Sequence, residues 1–247
     1  MSYKSVWDFG RSGGITNYSV HAIGEYPSKI RPIVFHHIVK RFSNKGDIIL
    51  DPFCGCGTMA VEAKIQGRHS INFDINSNAI ELTKTKLDKL TKEEIKLAYE
   101  QIMNDLTNES DSEDSGKLRR EQIEKELIKY KKEVEEVLNY ETKHISEVRD
   151  ARIDNYISDI KKIDPNKNYV DAIITDIPYG SMIKYSELKD DLSTIEDYDT
   201  FMNELSKSFD KMVSVLKKDG YCVIFVADYR VGASRKILPI HVDVVNI

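Results

Sequence analysis

The sequence is poor in cysteine and has no long hydrophobic run. Its 247 residues include three cysteines, an odd number, and two of these form the segment Cys54-Gly-Cys56. We therefore expect neither a disulfide framework nor a zinc site, because the cysteines are few and lack partner pairs. No apolar run approaches the roughly 18–20 residues that span a bilayer, and the N-terminus lacks the apolar stretch of a secretory signal. These absences predict a cytoplasmic protein.

An excess of basic charge is also missing. The formal net charge is −5, which argues against a protein that coats nucleic acid non-specifically but permits a local basic surface. The basic residues of a predicted amphipathic helix could form such a surface. The same spacing of basic residues is explained equally well by a helix face that contacts only solvent. His36 and His37 on this helix are predicted to be packed or surface residues, not ligands. The basic residues concerned are Lys29, Arg31, Lys40, Arg41 and Lys45.

Short apolar segments and helical segments alternate along most of the chain. This alternation predicts an α/β fold, in which parallel strands form a doubly wound sheet and are joined by right-handed crossovers. We expect the strand at 221–227 to be fully buried, and we expect Lys217–Gly220 to end the preceding helix. The predicted strands are 47–51, 70–74, 144–149, 170–175 and 221–227, and the predicted helices are 58–66 and 198–216.

The composition changes between residues 81 and 140, where lysine and glutamate are dense. Apolar residues such as Leu97 recur there at helical spacing, and 108–116 is an acidic, polar break. We expect two long helices that form an antiparallel hairpin inserted into the α/β fold. The plainer interpretation is that this hairpin braces the domain. The alternative is an arm that contacts a partner or a nucleic acid.

A glycine-containing turn, Asp51-Pro-Phe-Cys-Gly-Cys-Gly57-Thr58, follows the first predicted strand. Its glycines allow the backbone to approach a ligand closely, and the first N–H groups of the following helix can bind a carboxylate. The turn is neither a P-loop nor a complete G-x-G-x-x-G pattern. Asp74, at the end of the next strand, can accept both hydroxyls of a ribose, although alone it could be a helix N-cap. Together the turn and Asp74 predict nucleoside binding.

The segment Asp176-Ile-Pro-Tyr179-Gly closes the strongest predicted strand. The amino group of a base is a poor nucleophile, because its lone pair is delocalised into the ring. The Asp176 carboxylate and the Ile177 carbonyl could accept its two hydrogens, and Tyr179 could stack on a base flipped out of a duplex. A simple strand-ending turn is the alternative. Tyr185 and Ser186, in the following loop, are further candidates to contact the substrate.

These motifs together resemble the DNA amino-methyltransferases, the family that acts on N6 of adenine or N4 of cytosine. The glycine turn is similar to the family's D-P-F-x-G-x-G-T, and Asp74 matches its ribose-binding acidic position. Tyr26-Pro-Ser-Lys29 is similar to Y-P-A-K, which helps to hold the methionine end of the cofactor. Arg149-Asp-Ala-Arg152 resembles G-D-A-R, whose aspartate lies near the cofactor's adenine. Asp176-Ile-Pro-Tyr179 corresponds to the catalytic D-P-P-Y, with Ile177 in place of the first proline.

The resemblance implies a Rossmann-like methyltransferase fold, S-adenosylmethionine as the cofactor and DNA as the substrate. It divides the chain into an N-terminal segment with the cofactor-binding half (1–80), the inserted hairpin (81–140) and the catalytic half (141–247). Cys54 and Cys56 are then small turn residues, because an exocyclic nitrogen can attack the methyl group directly. No metal site is expected. The implied catalytic positions are Asp176, Ile177, Pro178 and Tyr179, and the implied cofactor-binding positions are Tyr26, Pro27, Asp51, Pro52, Phe53, Gly55, Gly57, Thr58, Asp74, Ile75, Asp150 and Ala151.

Two departures from the family pattern lead to further hypotheses. The sixth and seventh strands and a target-recognition region are not evident, so we expect a sheet that lacks its last strands. A truncated chain, or one part of a split enzyme completed by a partner subunit, would account for this. The Asp176–Gly180 segment also fits enzymes that methylate N2 of guanine in RNA, and RNA is the alternative substrate. A catalytically silent subunit with this fold is the third interpretation, which Ile177 motivates.

Overall fold

The computed structural model describes residues 18–27, 29–111, 117–153, 156–231 and 236–247. A sheet of five parallel strands forms its centre: β1 (Ile48–Asp51), β2 (His69–Asp74), β3 (His144–Val148), β4 (Val170–Asp176) and β5 (Leu216–Phe225). The strand order is β3-β2-β1-β4-β5, which reverses direction between β1 and β4. A ligand cleft is expected beside such a reversal. The predicted doubly wound, Rossmann-like α/β fold is confirmed.

Eight α-helices can be followed in the described part of the chain. None of them combines the length and the apolar character that a membrane crossing requires. A two-stranded antiparallel pair, β6 (Tyr229–Val231) and β7 (Lys236–Leu238), lies apart from the main sheet. The helices are α1 (Pro32–Phe42), α2 (Thr58–Ile65), α3 (Ser77–Lys89), α4 (Lys92–Asp111), α5 (Lys117–Leu138), α6 (Tyr156–Ile163), α7 (Tyr198–Val213) and α8 (Ile240–Val245).

The strands bury both of their faces because helices pack on each side of the sheet. Alternate side chains of a strand point to opposite faces, and β1 follows this rule. Leu50 faces the cluster that α6 and α7 complete with residues such as Phe201. Ile49 faces the opposite cluster, to which α1 and α2 contribute Phe35 and Met59. The central strands are therefore held in one register, since a shift of one residue would expose the wrong set of side chains.

The boundary between α7 and β5 differs from the prediction. The helix ends at Val213 rather than 216, and Lys217–Gly220 belongs to β5 instead of ending the helix. A register shift opposite Val170–Ala172 allows the strand to begin early. Gly220 is not a helix cap. A Cβ atom at Gly220 would lie 2.9 Å from the Asp171 carbonyl oxygen, so this glycine permits a close approach of two strands.

The prediction that 221–227 is fully buried is also wrong. Tyr221 is 53% exposed and Cys222 is exposed as well. Within the described residues β5 pairs only with β4, so it forms an edge of the sheet and one side of the strand is open. All three cysteines are free.

The charged region between β2 and β3 forms three helices. α3 crosses back over the sheet, and α4 and α5 pack against each other as the expected antiparallel hairpin. The Tyr99 ring of α4 lies against the Tyr130 ring of α5, with 6.0 Å between the ring centroids. Leu97 has the helical spacing of the buried residues but is 55% exposed. The domain boundaries at residues 81 and 140 remain a prediction.

The predicted basic surface on α1 is only partly present, because two of its lysines contact the hairpin. The Lys40 Nζ atom lies 2.8 Å from Glu133 Oε2 and 3.5 Å from the centre of the Tyr130 ring. Lys45 pairs with Glu136 at 2.8 Å. Since these lysines neutralise acidic residues of α5, they add little to a nucleic-acid surface.

A buried hydrogen-bond network joins the hairpin to the helix that follows the glycine turn. Glu62 of α2 is fully buried and accepts from His21 Nε2 at 2.8 Å and from His36 Nδ1 at 3.0 Å. A neutral imidazole that donates from Nδ1 accepts at Nε2, and the Tyr130 hydroxyl lies 3.0 Å from that atom. Burial would raise the pKa of Glu62, but the two histidine hydrogen bonds outweigh it and hold the pKa below its usual value.

We expect the Tyr130→Phe substitution to lower the free energy of unfolding by about 1–2 kcal/mol, because His36 Nε2 would be left buried without a donor. The measurement is urea denaturation. The matched control is Tyr140→Phe, whose hydroxyl contacts the half-exposed His69 at 3.0 Å, and there we expect a change within about 0.5 kcal/mol. Equal losses in the two variants would show that the buried network adds no special stability.

Candidate cofactor and active site

A cleft of about 830 Å³, open to solvent, lies at the carboxyl ends of the strands. Parallel strands end at the same edge of a sheet, so residues distant in sequence meet there. β1 ends in Asp51, β2 in Asp74 and β4 in Asp176, and Asp150 follows β3. Thirteen of the predicted site residues line this cleft: Tyr26, Asp51, Pro52, Phe53, Gly55, Thr58, Asp74, Ile75, Asp150, Ala151, Asp176, Ile177 and Pro178.

The glycine turn is held against Asp74 and Tyr26. The Gly55 amide donates to Asp74 Oδ2 at 2.9 Å, and its φ of 49° is in the left-handed region that favours glycine. A Cβ atom at Gly55 would lie 2.9 Å from Tyr26 Cε1. The absence of this Cβ therefore allows the Tyr26 ring, from the N-terminal segment, to pack directly on the turn.

Asp74 is fixed by two backbone amides. Asn76 N donates to its Oδ1 at 2.8 Å, and Gly55 N donates to its Oδ2 at 2.9 Å. Each oxygen of a carboxylate can accept about two hydrogen bonds, so each retains capacity for another donor. Burial raises the pKa of Asp74 to about 6, against the opposing effect of the two amides.

Two further carboxylates in the cleft have raised pKa values. Burial raises the pKa of Asp51 to about 7, although Thr175 Oγ1 donates to its Oδ1 at 2.7 Å. Burial also raises the pKa of Asp176 to about 6. Three carboxylates at one sheet edge give the cleft a negative potential at neutral pH, which suits a ligand that carries positive charge.

Three predicted site residues do not line the cleft. Tyr179 is 8% exposed, and its hydroxyl donates to Asp176 Oδ1 at 2.6 Å, which keeps the ring beside the cleft. A Cβ atom at Gly57 would lie 2.6 Å from Thr83 Oγ1, so Gly57 serves the packing of α2 on α3. Pro27 faces a shallow groove on the outer side of Tyr26.

Sequence reasoning missed several residues of the cleft wall. Tyr185, a candidate from the sequence, lines the cleft with its ring stacked on Tyr26 at 6.0 Å between centroids. Ser186 does not line it, because its hydroxyl donates to Asp191 Oδ2 at 2.5 Å. For the residues at 190–192, the available signal in the sequence was the long loop that follows the catalytic segment. The missed residues are Lys29, Ile30, Phe35, Asp190, Asp191 and Leu192.

The chain is similar to known DNA methyltransferases. Residues 2–85 match the family described as DNA methylase. Type II methyltransferase M.MjaII of Methanocaldococcus jannaschii is 32% identical over 132 residues, which are 52% of this chain and 24% of that protein. DNA adenine methyltransferase YhdJ of Escherichia coli is 34% identical over 84 residues, which are 34% of this chain and 27% of that protein. The matched part of the chain is thus similar to DNA amino-methyltransferases.

The similarity to these family members is partial. The chain spans about a quarter of the length of each of these two relatives. A relative with another printed activity, the probable tRNA (guanine(10)-N2)-dimethyltransferase of Methanothermococcus thermolithotrophicus, is 24% identical over 193 residues. That match covers 78% of this chain and 74% of that protein.

S-adenosylmethionine is the cofactor of DNA amino-methyltransferases, and the residues of the cleft fit it. Asp74 retains two acceptor positions for the hydroxyls of a ribose, as its two amide contacts show. The turn at Gly55 exposes backbone close to the ligand space. The carboxylates of Asp51 and Asp176 provide the negative potential that a sulfonium ion requires.

We expect the affinity for S-adenosylmethionine to fall as the pH is lowered from 8 to 5.5. The free protein holds the pKa values of Asp51, Asp74 and Asp176 at about 6–7, so protons compete with the ligand in that range. The affinity can fall by at most about tenfold per pH unit for each carboxylate that must ionise before the ligand binds. Titration calorimetry measures the affinity. S-adenosylhomocysteine, which lacks the sulfonium charge, is the control and should lose less.

The Asp74→Asn variant makes this pH test specific. It should bind more weakly at pH 8 and show a flatter dependence on pH, because one of the three titrating groups is gone. An affinity of the original protein that stays constant from pH 8 to 5.5 would mean that these carboxylates do not contact the cofactor.

Proposed function

We propose that this chain transfers a methyl group from S-adenosylmethionine to an exocyclic amino group of a DNA base, N6 of adenine. The observation that carries the proposal is the position of Asp176 and Ile177. Asp176 ends β4 and Ile177 follows it, in the same cleft as Asp51, Gly55 and Asp74. The cleft thus contains both the proposed cofactor-binding residues and a hydrogen-bond acceptor for the target amine.

The proposed mechanism is direct transfer to the amino nitrogen. The Asp176 carboxylate and the Ile177 carbonyl accept the two amino hydrogens, which favours a pyramidal nitrogen with its lone pair directed at the methyl group. The cofactor, when bound, would supply a methyl group activated by the positive sulfur, and the sulfur would leave as a neutral thioether. After the N–C bond forms, the nitrogen loses one proton, and Asp176 is placed to receive it. Positioning and electrostatics supply most of the rate.

Ile177 is compatible with this role although it replaces a proline. Its side chain is fully buried in the cluster that includes Leu192 and Phe201, and its amide donates to the Phe225 carbonyl at 3.4 Å. A proline at position 177 would fix the backbone of the turn through its ring. Here the packing of the Ile177 side chain against α7 holds the turn instead. The carbonyl of Ile177, which precedes Pro178, is kept at the end of the strand.

Tyr179 has to change its contact for a base to stack on it. In the structure its hydroxyl donates to Asp176, and we infer that the incoming amino group replaces this hydroxyl as the donor. The Tyr179 ring is then released toward the flipped base. Such stacking is worth about 1–3 kcal/mol per base.

N2 of guanine in RNA is the second candidate target. The tRNA methyltransferase relative aligns over 78% of this chain, whereas YhdJ aligns over 34%. The Asp176–Gly180 segment fits both chemistries, since both require acceptors for an amino group. A base in DNA is favoured over one in RNA by the match of residues 2–85 to the DNA methylase family. Asp, rather than Ser, at position 176 favours adenine over cytosine.

We expect label from radioactive S-adenosylmethionine to enter genomic DNA and not total RNA. Asp176→Ala and Asp176→Asn should lower the rate by about 100-fold or more, because each removes a charged acceptor aimed at the reacting amine. Binding of S-adenosylhomocysteine should persist in both variants. Digestion to nucleosides then identifies the methylated base.

Other results of the labelling experiment select the alternatives. Label in RNA alone would replace the DNA proposal with guanine methylation, and N4-methylcytosine would replace adenine with cytosine. No label in either nucleic acid, while the cofactor still binds, would support a catalytically silent subunit.

We expect Cys54→Ala to methylate at close to the rate of the unaltered protein. Burial raises the pKa of the Cys54 thiol well above its usual value, so the thiolate needed for covalent catalysis is not formed. The measurement is the same labelling assay, with cofactor binding as the control for folding. Loss of methylation while cofactor binding persists would assign Cys54 a chemical role.

A further inference from the structure

The loop from Ile183 to Asp191, which follows the proposed catalytic turn, is fastened to three cofactor-side segments. The Tyr185 ring stacks on Tyr26. The Tyr185 carbonyl accepts from Asn76 Nδ2 at 3.0 Å, and Asn76 lies two residues after Asp74. The Asp190 carbonyl accepts from Arg152 Nη2 at 2.6 Å. The wall beside the target-base site is thus attached to the segments after β2 and β3 and to the N-terminal segment.

Arg152 makes the most extensive of these three connections. Its Nε donates to both oxygens of Asp150, at 2.9 and 3.0 Å, and its Nη2 donates to Asp150 Oδ2 at 2.5 Å. Its Nη1 donates to Glu204 Oε2 of α7 at 2.7 Å. One guanidinium therefore holds a carboxylate of the cleft, the loop backbone and a helix. The fork of donors that arginine carries is suited to such a junction.

Asp150 belongs both to this set of contacts and to the wall of the cleft. The Arg152 amide also donates to Asp150 Oδ1, at 2.9 Å, so each oxygen of the carboxylate has two contacts with Arg152, and the Nε hydrogen is shared between the two oxygens. The carboxylate held in this way lines the cleft. Along the sheet edge Asp150 follows β3, the strand beyond Asp74. A nucleoside with its ribose at Asp74 would therefore place its base near Asp150.

We propose that Arg152 is a positioning residue, which orients Asp150 toward the amino group of the cofactor's adenine and couples this contact to the loop Ile183–Asp191. The inference rests on the proposed function, because it requires an adenosine-containing cofactor in the cleft. Occupancy of the adenosine position then stabilises the loop beside the target base. By thermodynamic linkage, an ordered loop strengthens cofactor binding by the same factor.

Arg152→Lys tests this coupling with the positive charge retained. A lysine ammonium is a single point of charge and cannot engage Asp150, Glu204 and Asp190 together. The matched control is Arg149→Lys. Arg149 also pairs with two carboxylates, Glu147 and Asp159, and its side chain is 14% exposed compared with 16% for Arg152. Its contacts lie outside the cleft.

The first measurement is amide hydrogen exchange with and without S-adenosylhomocysteine. In the unaltered protein and in Arg149→Lys, the ligand should slow exchange at the glycine turn and in peptides that cover 183–191. In Arg152→Lys the glycine turn should still be protected, whereas the protection of 183–191 should disappear. Equal loop protection in all three proteins would overturn the proposed coupling.

The second measurement compares two ligands by calorimetry. S-inosylhomocysteine carries an oxygen where the adenine of S-adenosylhomocysteine carries its amino group. The unaltered protein should prefer the adenosine compound by about tenfold, the effect of one hydrogen bond to a charged group. Arg152→Lys should lose this preference. If Arg152 had a purely structural role, Arg152→Lys would lower the affinity for both ligands by the same factor. An unchanged ratio of the two affinities would therefore overturn the proposal.

Two further results keep the inference separate from the proposed function. If the unaltered protein binds neither ligand, the cofactor assignment itself fails, and the inference fails with it. If Arg152→Lys does not fold, two other variants test the inference. Glu204→Gln weakens the contact between Arg152 and α7, and Asp150→Asn removes the proposed acceptor. Asp150→Asn should abolish the preference between the ligands, and an unaltered preference there would overturn the inference.

Discussion

The parallel pairing of β1 with β2 on one side and β4 on the other is the constraint on which the site depends. It brings the ends of three strands to one edge, so Asp51, Asp74 and Asp176 face one cleft. The register is fixed by burial on both faces, because a slip would move apolar side chains out of two clusters at once. The chemistry proposed for the cleft follows from this pairing and not from any one motif.

Placing several carboxylates in one cleft carries an electrostatic cost that the fold offsets only in part. Burial raises the pKa values of Asp51, Asp74 and Asp176, yet each accepts at least one hydrogen bond from a neighbouring donor. The groups remain close to ionisation at neutral pH. A cationic ligand would relieve the mutual repulsion, so the same arrangement that is unfavourable in the free protein favours binding. Perturbed pKa values of this kind are frequent at functional sites.

The parts outside the sheet reinforce the cleft from two directions. The hairpin contacts α1 and α2 through the buried network at Glu62, which stiffens the helix that begins at the glycine turn. On the opposite side, the loop Ile183–Asp191 is tied to Tyr26, Asn76 and Arg152. The family resemblance covers the turn and the catalytic segment. The inserted hairpin and the loop are the parts by which this chain holds those motifs in place.

The sequence alone determined the five strands of the main sheet, the glycine turn and the acidic ends of the strands, because periodicity and turn chemistry are local properties. Tertiary structure decided the remainder. Whether 217–220 ends a helix or begins a strand depends on a close approach of β5 to Asp171. Lys40 and Lys45 are neutralised by a hairpin more than 80 residues away in sequence. The position of the Tyr185 ring depends on its stacking against Tyr26. Such contacts join residues through space, and no spacing along the chain records them.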